Sequence, residues 1–141
     1  MAKLTLAQAN TIIAHAIAYS HEKKTPPLGI VVIDDSGNTL SAQRDDGASM
    51  FRIDIGQGKA WAAIAIGMSS RAVHEKAINN PTFFVSLAAT GQGKFVPQTG
   101  AVLIKDAKGN ILGACGSSGA HADEDEASCI AGVQRAGFRA E

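Results

Sequence analysis

The sequence predicts an α+β fold in which helices flank an antiparallel sheet of about five strands. Two segments of similar pattern, GIVVIDDSGNTLSAQ and GAVLIKDAKGNILGA, each contain an apolar run, an Asp…Gly-Asn turn and a second run. Such a pattern is typical of a β-hairpin. Helical patterns precede, separate and follow the two hairpins, which gives the order α-β-β-α-α-α-β-β-α. Because hairpins replace strand–helix–strand alternation, we expect the sheet to be antiparallel.

The length and charge of the chain limit its class. A chain of 141 residues is expected to form one domain, spanning 1–141. It has 13 Lys and Arg against 13 Asp and Glu, and this balance does not indicate a nucleic-acid or membrane partner. The N-terminal sequence has no basic region followed by an apolar run, so we expect a cytoplasmic protein. Cys115 and Cys129 fit no zinc or redox spacing and are interpreted as buried free thiols.

The first helix is predicted from Thr5 to about Lys23. Thr5 and Gln8 have the spacing of a capping box, and the apolar residues after them recur at helical intervals. The helix is expected to end before Pro26, because the residue before a proline avoids the helical conformation. His21 lies at the border of the apolar face and is therefore a candidate for a functional role.

The first hairpin is predicted to pair Leu28–Ile33 with Thr39–Arg44. A long helix, Ser49–Met68, should follow it despite Gly56 and Gly58. Each glycine costs about 1 kcal/mol relative to alanine inside a helix. We therefore interpret both as places where another element packs closely or a ligand approaches the backbone.

Two shorter helices are predicted next. Ser70 can cap a helix that extends to Ile78, and Pro81 is expected in the first turn of another helix, Thr82–Ala89. A fifth strand could lie near Phe95-Val96.

The second hairpin is predicted to pair Ala101–Lys105 with Ile111–Cys115, and a loop from Gly116 to Glu126 should lead into the last helix. That helix is predicted to run from about Ala122 to Ala136. Its acidic first turn is favoured by the helix dipole.

The loop before the last helix holds most of the residues that could carry chemistry. His121, Asp123, Glu124 and Asp125 could ligate a metal, but capping and a solvated acidic helix start explain the same residues. Ser118 stands in Gly-Ser-Ser-Gly-Ala, which resembles a nucleophile elbow. No histidine follows His121 in the chain, so the usual Ser…Asp…His order is excluded.

Arg44 and Lys59 are candidate anchors for an anionic group. A guanidinium and a nearby ammonium could hold a carboxylate or phosphate, such as a haem propionate or a small organic acid. The alternative is that Arg44 pairs with the neighbouring Asp45 and Asp46.

Taken together, the motifs resemble the GlcG/HbpS family, which includes the C-terminal domain of PduO-type proteins. The resemblance rests on the order and spacing of Arg44-Asp45-Asp46-Gly47-Ala48, Lys59-Ala60, Asn80-Pro81, Pro97…Gly100, Gly113-Ala114, Gly116-Ser117-Ser118-Gly119 and Asp125-Glu126. It implies a profilin-like or PAS-like sheet between helices, assembly into dimers or larger oligomers, haem binding in some relatives and small-molecule catabolism in others. The chain departs from the family at Thr99-Gly100-Ala101, where a Gly-Gly-Val-Pro entry to the second hairpin is usual.

The resemblance gives a first hypothesis, a small-ligand-binding protein for haem or a related tetrapyrrole. The axial ligand would be His121, His74 or His21, in that order. Its remaining site residues are expected to be Arg44 or Lys59 on a propionate, with Thr99, Gly100, Ser118 and Gly119 around the ligand.

A second hypothesis is a cofactor-independent isomerase, decarboxylase or hydrolase acting on a small carboxylated intermediate. His121 would be its general acid or base, oriented by Asp123 or Glu124, with Arg44 and Lys59 on the substrate carboxylate. A third is an oligomeric accessory protein without activity. The expected partners are a small molecule and further copies of the chain.

Overall fold

The computed structural model describes residues 2–141, which form five helices and a five-stranded antiparallel sheet. The elements in chain order are α1 (Leu6–Glu22), β1 (Gly29–Asp34), β2 (Thr39–Arg44), α2 (Arg52–Ile66), α3 (Ser70–Asn79), α4 (Pro81–Thr90), β3 (Ala101–Lys105), β4 (Ile111–Ser118), α5 (Ala122–Arg135) and β5 (Arg139–Ala140). The strand order is β2-β1-β4-β3-β5. The α+β class and the predicted order of elements are confirmed.

The two hairpins have the same turn because they share the same turn sequence. Asp34 Oδ1 accepts hydrogen bonds from the backbone N–H groups of Ser36 and Asn38, at 2.9 Å each. Asp106 makes the same pair of bonds in the second hairpin. A carboxylate that accepts backbone N–H bonds in this way fixes a turn without help from distant residues.

Helices cover both faces of the sheet. The core on one face joins α1 and α5 to the sheet and is built around Ile12, Ile13 and Val133. The core on the other face lies under α2, whose buried residues next to the sheet are mostly alanine and glycine. A third cluster, around Phe84 and Phe95, holds α3 and α4 against the outer side of α2.

The glycines of α2 allow close packing, as the sequence indicated. A Cβ on Gly56 would lie 3.2 Å from the carbonyl oxygen of Gly116 in β4, and a Cβ on Gly116 would collide with the carbonyl oxygen of Gly56. A Cβ on Gly58 would overlap the side chain of Val96. The helix therefore lies directly on the strand backbone.

Several boundaries differ from the prediction. Gly116–Ser118 is strand rather than loop, because its backbone pairs with β1 through Gly29↔Ser118 and its glycine pairs with β3 through Ala101↔Gly116. The fifth strand is Arg139–Ala140 and not Phe95-Val96. Phe95 is instead buried in the α3–α4 cluster.

Two helix starts also differ. The helix predicted from Ser49 begins at Arg52. The cap of α3 is Ser69, whose hydroxyl accepts from the backbone N–H of Ala72. The hydroxyl of Ser70, the predicted cap, instead accepts a bond from the backbone N–H of Ala101 at 2.7 Å. Ser70 therefore anchors α3 to the start of β3.

The cysteine prediction is confirmed, since Cys115 and Cys129 are both buried and both free. A hydrogen bond with the Cys129 thiol, together with burial, raises the pKa of Cys115. Within residues 2–141, no helix has the length and apolarity needed to cross a membrane.

Candidate functional site

A buried ion pair lies at the end of the sheet where β4 finishes and α5 begins. Lys59 of α2 donates from Nζ to Oδ2 of Asp125 at 3.1 Å and to the carbonyl oxygen of Ser117 at 3.0 Å. The other carboxylate oxygen, Oδ1 of Asp125, accepts a bond from the backbone N–H of Ala120 at 3.0 Å. Lys59 is 5% exposed and Asp125 is 2% exposed. The pair therefore joins the helical layers on the two faces of the sheet.

Gly100 provides the space through which Lys59 reaches Asp125. A Cβ on Gly100 would lie 2.6 Å from Nζ of Lys59, and the φ angle of Gly100 is +142°, which side chains rarely tolerate. The predicted ligand-site residues Lys59 and Gly100 thus meet, but they meet around an internal carboxylate.

Asp125 lies in a place that the sequence did not indicate. It was expected in a solvated acidic helix start, yet it is buried. Burial raises the pKa of Asp125, although the nearby charge of Lys59 and the hydrogen bonds from Ala120 and Lys59 act in the opposite direction. The hydroxyl of Ser117 donates to the backbone carbonyl of Asp125 at 2.8 Å and further fixes the helix start.

A second cation, Arg71, ties α3 to the same end of α5. Its Nε donates to Oε2 of Glu126 at 3.1 Å, and its Nη2 donates to Asp123. The Asp123 side chain is 82% exposed, whereas that of Glu126 is 15% exposed. The acidic residues at the start of α5 are therefore paired with Lys59 and Arg71, which come from the other face of the sheet. These ion pairs add to the stabilisation that the helix dipole gives to acidic residues at a helix start.

His121 occupies the N-cap position of α5 and is exposed. Its backbone N–H donates to Oε1 of Glu124 at 3.2 Å, and its carbonyl accepts from the N–H of Asp125 at 2.9 Å. In the part of the chain that the structure describes, no hydrogen bond joins its ring to the carboxylate of Asp123 or Glu124. These contacts orient the backbone of the loop and not the imidazole.

His74 is held differently, because its ring is fixed by the backbone. Nδ1 of His74 lies 3.1 Å from the carbonyl oxygen of Pro97. A carbonyl can only accept, so Nδ1 carries a proton, and in the neutral imidazole the lone pair is then on Nε2. The residue is half-buried on α3.

His21 makes an ion-pair type of contact at the end of α1. Its Nε2 lies 2.7 Å from Oδ2 of Asp45, and its side chain is 64% exposed. This contact leaves only Nδ1 free for a ligand.

Arg44 lies in a row with Gly29 and Ser118 across three neighbouring strands. Its Nη1 donates to the carbonyl of Ala48 at 2.6 Å, so the alternative in which Arg44 pairs with Asp45 or Asp46 is not what the structure shows. Ser118 instead accepts a bond from Arg52 at 3.2 Å. Nothing in the sequence around Arg52 indicated this contact.

The other two predicted ligand-site residues are also near this end. Thr99 is 6% exposed and precedes Gly100. Gly119 has a φ angle of +140° and packs against Pro27 and Leu28, where a side chain would collide.

A wide cavity lies elsewhere, on the outer face of α2. We call it the α2 groove. It has a volume of about 770 Å³, and its lining includes Phe51, Asp54, Gln57, Trp61, Lys94 and Val96. A smaller cavity of about 320 Å³ lies between α1 and α5, where it is lined in part by Tyr19, Asp123 and Glu124. Arg44, Lys59 and His121 line neither cavity. Within residues 2–141 no cluster of three or more His, Cys, Asp or Glu could hold a metal ion.

Fold and site together define an α+β protein with one antiparallel sheet, whose helical layers are joined at one end by Lys59 and Arg71. The family model described as "Haem degrading protein HbpS-like" matches residues 4–134. The chain belongs to this HbpS-like family.

Individual proteins are also similar to this chain. An uncharacterised 15.0 kDa protein from the dhaT-dhaS intergenic region of Citrobacter freundii is 29% identical over 125 residues, which are 89% of this chain and 86% of that protein. The crystal structure of Klebsiella pneumoniae protein ORFY is similar with a TM-score of 0.85 at 23% identity, covering 96% of this chain and 92% of that one. The crystal structure of a PduOC:heme complex is similar with a TM-score of 0.85 at 18% identity, covering 97% of each chain.

Proposed function

We propose that this protein binds haem or a related tetrapyrrole, with His74 as the axial ligand of the iron. The observation that carries the proposal is the orientation of His74, whose Nδ1 donates to the carbonyl of Pro97 and whose Nε2 is left with a free lone pair. Histidines that bind metals commonly have their second ring nitrogen fixed in this way by a backbone carbonyl. The family description and the haem complex of a structural relative support the choice of ligand.

The support beneath His74 is rigid. One turn earlier, the hydroxyl of Ser70 exchanges two hydrogen bonds with the backbone of Ala101, at 2.7 and 3.2 Å. Arg71 ties the same turn to Glu126 of α5. A ligating side chain on such a helix loses little freedom when it binds.

The surface beyond His74 suits an apolar disc. Ile78 follows His74 by one turn on the same face of α3 and is 64% exposed. Phe83 and Val85 of α4 are 59% and 70% exposed. Ile78 therefore shares a face with His74, whereas Phe83 and Val85 lie two positions apart and point to different sides of α4. A large exposed apolar side chain beside a fixed imidazole is suited to contact a flat apolar ligand. Because this surface is open, we expect a second copy of the chain to cover the outer face of the ligand.

The other two candidate ligands, His21 and His121, are less suitable. Nε2 of His21 is occupied by Asp45, and its Nδ1 is next to the ring carbon that bears the side chain, where a flat macrocycle would meet Cβ. His121 is exposed, and the contacts at its position hold its backbone. Lys59 is satisfied by Asp125 and Ser117, so we assign it no propionate.

When bound, haem would supply the iron and its redox chemistry. This chain would supply an oriented imidazole, an apolar surface and a fixed helix. The acid–base hypothesis that uses His121 gains no support from the contacts of Asp123 and Glu124, which engage Arg71 and a backbone N–H. It stays a prediction from the sequence, as do the cytoplasmic location and the single domain.

The proposal is tested by titrating the purified protein, free of any histidine tag, with hemin while the Soret band is recorded. We expect a shifted band that saturates near one hemin per chain. A titration that never departs from that of free hemin would contradict the proposal. Zinc protoporphyrin, followed by its own fluorescence, would then show whether the macrocycle binds without iron ligation.

A further inference from the structure

We propose that the α2 groove is a second binding site, for a small planar aromatic molecule that carries both a carboxylate and a protonated amine. The shape, the aromatic lining and the charges of the groove each support this class of ligand. The groove is separate from His74, so this inference goes beyond the proposed haem site.

The shape of the groove suits a small ligand. The outer face of α2 forms its floor, the turn of the first hairpin forms one wall, and the segment around Lys94 and Val96 forms the other. A volume of about 770 Å³ lies within the roughly 300–1,000 Å³ typical of small-molecule sites. The side chain of Val96 packs directly on the backbone of Gly58, so this wall stands in contact with the floor.

Two aromatic side chains line the groove. Trp61 is half-buried, and its indole N–H donates to the carbonyl of Gly37 at 3.1 Å, which fixes the ring plane. Phe51 is the N-cap residue of α2 and is 58% exposed. A fixed indole and an exposed phenyl ring offer stacking surfaces for another planar aromatic group.

Two opposite charges line the same groove. Asp54 and Lys94 both border it, and neither belongs to any ion pair in the part of the chain that the structure describes. A ligand with one charge would satisfy only one of them, whereas a zwitterion complements both. Gln57 adds a neutral acceptor, because its Nε2 donates to the hydroxyl of Thr39 at 2.8 Å and its Oε1 stays available.

The groove does not duplicate the haem site. Its lining contains no histidine, cysteine or methionine, the side chains that most often ligate haem iron. It adjoins His74 only through the chain segment in which Val96 lines the groove and Pro97 accepts the bond from His74. An occupant of the groove therefore needs no iron.

Trp61 makes the proposal directly testable, because it is the single tryptophan of the chain. L-kynurenine is a planar aromatic zwitterion that absorbs where tryptophan emits, so its binding should quench the emission of Trp61 saturably. L-alanine, which has both charges and no ring, and 2-aminoacetophenone, which has the ring and no charge, should each quench or compete much more weakly. Quenching that stays linear in kynurenine would overturn the proposal.

Charge variants separate binding in the groove from binding elsewhere. We expect Lys94→Met and Asp54→Asn each to weaken kynurenine binding about two- to fivefold, the effect of losing one exposed charge pair. Lys108→Met, on the exposed second hairpin turn, is the matched control and should change nothing. Equal affinities for all four proteins would contradict the assignment. The same variants should bind hemin as the wild type does, because the groove is separate from His74. Hemin titrations of these variants therefore distinguish failure of the groove proposal from failure of the haem proposal.

Discussion

Nζ of Lys59 lies 3.1 Å from Oδ2 of Asp125, although the two residues belong to helices on opposite faces of the sheet. The contact passes the end of β4, at the point where Gly100 has no side chain to block it. Lys59 is the only charged residue between Asp54 and Arg71, in a segment otherwise rich in alanine and glycine. The pair therefore holds the two helical layers together next to the start of α5.

Replacing Lys59 with methionine should be strongly destabilising. Lys59→Met leaves the carboxylate of Asp125 buried beside apolar atoms, and removing one partner of a buried pair costs about 3–5 kcal/mol. Arg71→Met is the matched comparison, because Arg71 also crosses to α5 but its side chain is 46% exposed. Its loss should cost about 1 kcal/mol or less. Urea unfolding of both variants measures the difference.

The double variant Lys59→Met with Asp125→Leu checks the cause. If the cost comes from an unpaired buried charge, removing that charge should restore part of the free energy of unfolding. A double variant less stable than Lys59→Met would contradict the view that the cost of Lys59→Met comes from the unpaired charge of Asp125.

The stability of the protein should depend on pH through Asp125. Burial raises its pKa in the folded chain above the ordinary value of 3.8. The folded state then binds this proton more tightly than the unfolded state, so the contribution of Asp125 to stability falls as pH rises from 3.8 to the raised pKa. Above that pKa the contribution is constant. The positive charges of Lys59 and Arg52, which face the carboxylate, make the rise in the pKa of Asp125 smaller. They shorten the pH range over which stability changes, but the pKa still lies above its ordinary value.

Asp125→Asn isolates this effect. The free energy of unfolding of Asp125→Asn minus that of the wild type should increase with pH through the same window and then level off. Carboxyls with lowered pKa values, such as Asp106 with its hydrogen bonds from Asn110, lose stabilisation in acid in both proteins and cancel in the difference. A difference that falls with rising pH would contradict the direction given for Asp125.

At the contact between α2 and β4, adding a methyl group should destabilise the protein more in the strand, at Gly116, than in the helix, at Gly56. A Cβ on Gly116 would meet backbone, colliding with the carbonyl of Gly56 and lying 3.0 Å from the amide nitrogen of Ala60. Gly116→Ala should therefore cost about 1–3 kcal/mol or more, as overpacking does. Gly56→Ala is closer to neutral, because its Cβ would lie 3.2 Å from the nearest atom and alanine favours a helix by about 1 kcal/mol. Thermal unfolding measures both variants, and an equal loss of stability in Gly116→Ala and Gly56→Ala would contradict this packing.

Elements with local signals could be predicted from the sequence. The capping box of Thr5 and Gln8 forms as expected, with bonds of 2.9 and 3.1 Å. Both hairpins follow from turns whose aspartates bond their own backbone. Pro81 begins α4 at the predicted place. Each of these features depends on residues that are neighbours in the chain.

Features that depend on distant partners could not be predicted. Gly116–Ser118 has the composition of a loop and becomes a strand only because β1 and β3 pair with it. In the sequence, Asp125 cannot be distinguished from other acidic residues at a helix start, because its burial depends on Lys59, which comes from the opposite face of the sheet. The orientation of His74 depends on Pro97, and no periodicity signals a bond between a helix and a distant loop carbonyl.

The most direct test of the account is a hemin titration of three single variants, His74→Ala, His21→Ala and His121→Ala, beside the wild type. The free Nε2 of His74 predicts that His74→Ala alone loses the saturable Soret shift. Added imidazole should restore it in part, which a merely structural role of His74 would not allow. If His74→Ala titrates like the wild type, or if His121→Ala abolishes the shift, His74 is not the axial ligand and the central claim is wrong.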